Sequence, residues 1–173
     1  MKFTVWLIPP EPVYSQIKSI IDRLSSEYKG PSFEPHMTLL GGFSSDNLSE
    51  TEEKVKDLAK FDKLDLTLGP VSFSTTYFQS VFVRVNSTTK LMQLNLDAKK
   101  MFGRENDVFM PHISLLYGDH DMVMREKAAS SVELPSASFV VDKFSITPAD
   151  SNDPKDWKII STISFIGRGS GFP

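Results

Sequence analysis

The chain has 173 residues, enough for one domain or for two small lobes sharing one fold, and its apolar content of 40% supports an ordinary buried core. A net charge of −3 and a pI near 5.6 argue against long duplex nucleic acid as a partner, because such binders carry a strong basic excess. The absence of cysteine excludes disulfides, thiolate zinc centres and a cysteine nucleophile, and leaves the redox compartment open.

Lys2 to Ile8 is rich in β-formers and stops at Pro9-Pro10, so it reads as a strand. This apolar run is too short for a signal sequence or a membrane span, and the expectation is a soluble, cytoplasmic protein. Pro12 suits a first helical turn. Ile17, Ile20, Ile21, Leu24 and Tyr28 follow at helical spacing, with Gly30 as the stop. Glu34 to Leu40 reads as a strand ended by Gly41-Gly42. Ser49 and Glu52 form a capping-box pattern for a second helix carrying Val55, Leu58 and Ala59.

Leu64 to Leu68 and Val71 to Tyr77 read as two strands split by Gly69-Pro70. Val81, Val83 and Val85 mark another. Leu91, Leu94, Ala98, Met101 and Phe102 restore helical spacing, closed by Gly103. Pro111 to Tyr117 is strand-like and Asp121 to Val132 is a weaker helix. Ser138 to Ile146 and Trp157 to Ile166 complete the strands, and residues 167–173 read as a loose tail. This order predicts an α+β fold of mainly antiparallel sheet with outer helices, spanning residues 1–173 as one domain.

Two segments match each other. Phe33-Glu34-Pro35-His36-Met37-Thr38-Leu39-Leu40-Gly41-Gly42 and Phe109-Met110-Pro111-His112-Ile113-Ser114-Leu115-Leu116-Tyr117-Gly118 both read F-x-P-H-x-[T/S]-L-L-x-G. They contain two of the three histidines of the chain. A strand, a helix and a Pro-led His strand open each half. The fold is therefore expected to be bilobal, with two pseudo-symmetric lobes facing one central cleft.

Side chains alternate along a strand, so His36 and Thr38 share one face while Met37 and Leu39 take the other. His112 and Ser114 alternate in the same way with Ile113 and Leu115. The cleft then receives two imidazoles and two hydroxyls. A neutral imidazole can take a proton from water, a protonated one can give a proton to a leaving oxygen, and hydroxyls can donate to a phosphate. None of these roles needs a metal, and no third ligand stands at matching spacing for one. A lone H-x-T on a strand is more often structural; the duplication is what points to chemistry. His120, between Asp119 and Asp121, reads as part of a polar turn.

At these residues the sequence resembles the two-histidine phosphoesterase superfamily and, within it, the fungal and plant cyclic phosphodiesterases. The likeness extends to Val5-Trp6-Leu7-Ile8-Pro9-Pro10 and to Tyr77-Phe78-Gln79-Ser80-Val81-Phe82. It implies a bilobal α+β fold with the active site between the lobes and no cofactor. It also implies opening of ADP-ribose 1″,2″-cyclic phosphate to ADP-ribose 1″-phosphate, a step after tRNA splicing, or of nucleoside 2′,3′-cyclic phosphates to 2′-phosphates. By this likeness His36 protonates the leaving oxygen, His112 activates water, and Thr38 and Ser114 hold the phosphate. Tyr117 either touches the phosphate or ribose or packs at a strand end. Trp6, Tyr77 and Phe82 either stack on a base and line the cleft or belong to the core. The expected partner is a small nucleotide-like cyclic phosphate bound by a monomer. An RNA-end phosphodiesterase or 2′-5′ ligase-like enzyme, and a non-catalytic nucleotide-binding module, stand as alternatives.

Overall fold

The structure, a computed structural model, describes residues 1–134 and 137–167. Most of the predicted tail, 167–173, lies outside the described residues. Eight strands form one antiparallel sheet. In chain order they are β1 (Lys2–Leu7), β2 (Met37–Ser44), β3 (Leu64–Phe73), β4 (Val81–Val85), β5 (His112–Leu116), β6 (Ser138–Val141), β7 (Lys143–Pro148) and β8 (Ser161–Ser164). The helices are α1 (Val13–Tyr28), α2 (Leu48–Leu58), α3 (Thr89–Met101) and α4 (Met122–Ser130).

The strands lie in the order β6-β3-β4-β5-β2-β1-β7-β8. The two motif strands are thus central neighbours, joined by the single pair Met37–Ile113. Reading outward from that rung, β5-β4-β3-β6 mirrors β2-β1-β7-β8, which is the expected pseudo-symmetry. The lobes are less separate than the repeat suggests, because they share one sheet. They also exchange helices. α1 follows β1 yet packs on β5, whereas α3 follows β4 yet packs on β2.

Several strand boundaries differ from the sequence expectation, each for a local reason. β2 runs through Gly41-Gly42 because the glycines form a bulge: Val5 pairs with Leu40 but Phe3 pairs with Phe43. Gly42 takes φ +64°, which a side chain would strain. β3 runs through Gly69-Pro70 in the same manner, with a register shift against β4 between Leu68 and Val71. The stretch Ser138 to Ile146 is two strands, since β6 pairs with β3 at one edge and β7 pairs with β1 and β8 near the other. Asp142 alone separates them, and its carbonyl accepts from the Phe165 amide. The last strand is also shorter than expected, because Pro154–Asp156 forms a 3₁₀ turn and Trp157 is irregular.

Two helix ends are corrected as well. The N-cap of α2 is Asn47, whose side chain accepts from the Glu50 amide, while Glu50 in turn accepts from the Asp46 amide. At the end of α1 the left-handed residue is Lys29, with φ 57°, rather than Gly30. Gly30 answers to packing: a Cβ there would lie 2.7 Å from the Tyr117 carbonyl oxygen and 3.2 Å from Leu116 Cδ1. Gly30→Ala therefore forces α1 away from the end of β5. It is expected to cost about 2 kcal/mol, read in thermal unfolding as a Tm lower by about 4–8 °C. An unchanged Tm would show that this approach has slack.

Candidate active site

The central rung sets the arrangement. Because β2 and β5 are antiparallel at Met37–Ile113, the residue before each rung position faces the residue after the other. His36 thus sits across from Ser114, and Thr38 across from His112. Met37 and Ile113 turn into the core and are buried, as are Leu39 and Leu115. His36, Thr38, His112 and Ser114 all line one cleft of about 550 Å³. Each imidazole is therefore opposed by the hydroxyl of the other motif, a relation that alternation within one strand cannot reveal.

Both rings are held in the same way. Nδ1 of His36 lies 2.6 Å from the Glu34 carbonyl oxygen, and Nδ1 of His112 lies 2.8 Å from that of Met110. A carbonyl can only accept, so each Nδ1 carries the proton and donates it. In the neutral state each Nε2 is then a free lone pair. The residue two positions before each histidine, variable in the repeat, contributes only its backbone.

Burial lowers the His36 pKa to about 4; the Glu34 carbonyl opposes this, and the charge of His112 adds to it. Burial likewise lowers that of His112, opposed by the Met110 carbonyl and assisted by Arg84. Arg84 stands opposite His112 in the β4–β5 ladder. Both imidazoles are thus held below the ordinary histidine value, which favours their uncharged forms at neutral pH.

The aromatic residues sort by lobe. Trp6 pairs with Thr38 in the β1–β2 ladder, and Phe82 pairs with Ser114 in the β4–β5 ladder, so they are equivalents. Trp6 stacks on His36 with centroids 3.7 Å apart and lines the cleft. Phe82 meets His112 edge-on at 5.4 Å, is buried, and does not line the cleft. Phe82 is thus a packing support for His112 rather than a base-stacking residue. Tyr77 lines the cleft and is 37% exposed.

Tyr117 also lines the cleft, with its ring stacked on Phe33 at 3.8 Å. Burial pushes its phenol above the usual range, with the Ser114 hydroxyl opposing, so it stays a neutral hydrogen-bond donor. The Ser114 hydroxyl donates to the Phe78 carbonyl at 2.8 Å and must turn away from it to reach a phosphate. His120 lies outside the lining; its Nε2 lies 2.9 Å from the Tyr28 carbonyl, tying the second motif to α1. Among the described residues no group of three or more His, Asp or Glu side chains converges as a metal site would require.

Gln79 and Trp157 are among the lining residues that the sequence does not single out. Gln79 Nε2 lies 3.4 Å from His112 Nε2, at the long end of a hydrogen bond in which the amide donates. Trp157 meets the stacked pair of Trp6 and His36 edge-on, and its indole N–H donates to the Ser151 carbonyl at 2.7 Å. Neither belongs to the repeat. The likeness around Tyr77-Phe78-Gln79-Ser80 was the one signal available for Gln79.

A continuous antiparallel sheet that presents two H-x-[T/S] motifs to one cleft defines the two-histidine phosphoesterase class. Escherichia coli LigT in its apo form shares this fold, with a TM-score of 0.62 at 18% identity over 95% of this chain and 96% of that one. Residues 1–166 match the family described as cyclic phosphodiesterase-like protein, and the chain belongs to that family. It is 26% identical to a cyclic phosphodiesterase of Arabidopsis thaliana, over 92% of either chain. It is 29% identical to a 2′,3′-cyclic-nucleotide 3′-phosphodiesterase of Kluyveromyces lactis, over 69% of this chain and 65% of that one. The protein is a phosphoric diester hydrolase acting on cyclic phosphates.

Proposed function

We propose that the protein opens nucleoside 2′,3′-cyclic phosphates to 2′-phosphates, and ADP-ribose 1″,2″-cyclic phosphate to ADP-ribose 1″-phosphate, without a metal. The observation that carries this reading is the pair of Nδ1-anchored imidazoles sharing one cleft with two opposed hydroxyls. The names of the Arabidopsis and Kluyveromyces relatives support the substrate class.

Water attacks phosphorus while its proton passes to Nε2 of His112. The bond from phosphorus to the 3′ oxygen breaks, and that oxygen takes a proton from Nε2 of His36. Since Nδ1 of His36 already donates to a carbonyl, the acid must be the imidazolium, whereas the base must be neutral. Thr38, Ser114 and the Tyr117 phenol donate to the non-bridging oxygens, where negative charge builds. Burial draws the His36 pKa down to about 4, and the negative charge of the phosphate opposes this, so the imidazolium is favoured beside bound substrate. The same depression favours a second reading in which the two histidines exchange roles.

The product reports which oxygen leaves. Hydrolysis of 2′,3′-cyclic AMP followed by ³¹P NMR is expected to give the 2′-phosphate; a 3′-phosphate would mean that the opposite oxygen leaves. Turnover is expected to survive EDTA undiminished, assayed against a metal-replete control. A loss restored by added divalent cation would overturn the metal-free mechanism. A marked preference for an oligonucleotide over the cyclic mononucleotide would move the substrate class to RNA ends.

A further inference from the structure

Arg125 is the most deeply buried charged group outside the cleft, at 3% exposure on the second turn of α4. Among the described residues no carboxylate pairs with it. Four backbone carbonyls receive it instead. Nε donates to His120 at 2.7 Å, Nη1 to Ser74 and Thr76 at 2.7 and 2.8 Å, and Nη2 to Gly118 at 3.1 Å. A buried cation is costly unless its donors are matched, and here four of the five guanidinium N–H groups are. The carbonyls belong to two segments: the loop between β3 and β4, which lines the cleft through Thr76 to Gln79, and the turn after β5.

The β3–β4 loop has no regular structure, yet the carbonyls of Ser74 and of Thr76 to Gln79 are all engaged. Arg125 takes those of Ser74 and Thr76. The Gly118 amide donates to Tyr77 at 3.1 Å, the Ser114 hydroxyl to Phe78 at 2.8 Å, and the Ser74 hydroxyl to Gln79 at 2.7 Å. The loop supplies four consecutive cleft residues, Thr76 to Gln79. One of them reaches Nε2 of His112, the atom that must accept a proton.

We propose that Arg125 and Gln79 form one positioning system for His112, in which Arg125 anchors the β3–β4 loop from behind the cleft and Gln79, carried on that loop, holds the imidazole. The inference rests on the two-histidine reading above. An amide donating to the Nε2 lone pair favours neutral His112, holding the ring in the resting site, and this long contact yields the lone pair to the attacking water when His112 takes up its proton. It also fixes the ring from its free side, complementing the Met110 carbonyl on the other. The other titratable or charged groups around His112 are Arg84 in the neighbouring strand and His36, Tyr77 and Tyr117 in the cleft. None of them donates to Nε2. Among the described residues the lobe of His36 has no counterpart to this system: its ring is flanked by Trp6 and Trp157.

The test uses the full chain with Gln79→Ala, Arg125→Lys and the double variant, each checked for folding by circular dichroism. Kinetics on 2′,3′-cyclic AMP and the titration of His112 by NMR of isotope-labelled protein are read together. Gln79→Ala is expected to lower kcat about tenfold with KM within about threefold, and to raise the His112 midpoint. Arg125→Lys is expected to move both readouts in the same directions. The double variant is expected to be no worse than the weaker single variant by more than about twofold, because both act through one loop. Wild-type kcat and an unmoved His112 midpoint in Gln79→Ala would overturn the proposal, including where Arg125→Lys fails to fold. Independent, multiplying losses would overturn the link between the two residues. The His112 titration needs no turnover, so this failure is distinct from failure of the two-histidine reading, which an inactive wild type or an active His112→Ala would show.

Discussion

Alanine at His36 or at His112 is expected to reduce turnover of 2′,3′-cyclic AMP by about 10²–10⁴-fold. Each ring is the one titratable group at its end of the cleft whose free nitrogen faces the reacting atoms, and neither hydroxyl can take over proton transfer. The two losses are not expected to multiply, because acid and base act in one displacement and neither works alone. The fold should persist. The ring of His36 stacks on Trp6 and meets the edge of Trp157, but Trp6 and Trp157 also touch each other directly, so each keeps a partner when the ring is lost, and the apolar sides of both motif strands are untouched. Circular dichroism and thermal unfolding check this. Full activity in either folded variant would remove the pair from the mechanism.

The pH dependence should carry a distinctive sign. The free cleft holds both imidazoles below the ordinary histidine value, so the limbs of the kcat/KM profile, which report the free enzyme, are expected below pH 6.5. Bound phosphate brings negative charge beside both rings and favours their protonation. The kcat profile, which reports the complex, should therefore be displaced to higher pH, and binding of a non-hydrolysable phosphate should take up protons. Calorimetry in buffers of different ionisation enthalpy measures that uptake directly; no uptake at pH 7 would contradict a proton arriving with the substrate.

The same depression links to stability. The unfolded chain protonates His36 near pH 6.5, but the folded chain does so only near pH 4, so the full stability is present above pH 6.5. Between those values acidification favours unfolding, by a total of about 3 kcal/mol from this residue. His36→Ala should lose that increment of acid sensitivity while losing activity, which denaturant titrations at pH 7 and pH 4 would reveal.

Much of this was legible because two signals in the chain are strong. Helical spacing located α1 and α3, and the duplicated motif located His36, Thr38, His112 and Ser114 and implied a shared cleft. Strand limits were harder at glycines, since a bulge and a turn look alike until a neighbouring strand is known. Gly41-Gly42 and Gly69-Pro70 interrupt pairing by a residue or two and then let it resume. The Asp142 break was silent because β6 and β7 alternate without a turn signal and separate only through their different neighbours. Trp157 and Arg125 were silent, and Gln79 nearly so, for a related reason. Each acts on a residue distant in sequence, through contacts that periodicity does not encode.

The exchange of α1 and α3 across the central rung bears on how such a chain could arise. A half-length polypeptide with one motif would leave its own His strand without a helix to cover it, while its helix had no strand to cover. It would also offer one imidazole where the displacement needs two. Two copies meeting about a two-fold axis would meet all three needs at once, each lending its helix to the other. Fusing such copies end to end would preserve the geometry and release the halves to diverge, which is the condition seen here: tryptophan on one histidine, and an amide with a buried arginine behind the other.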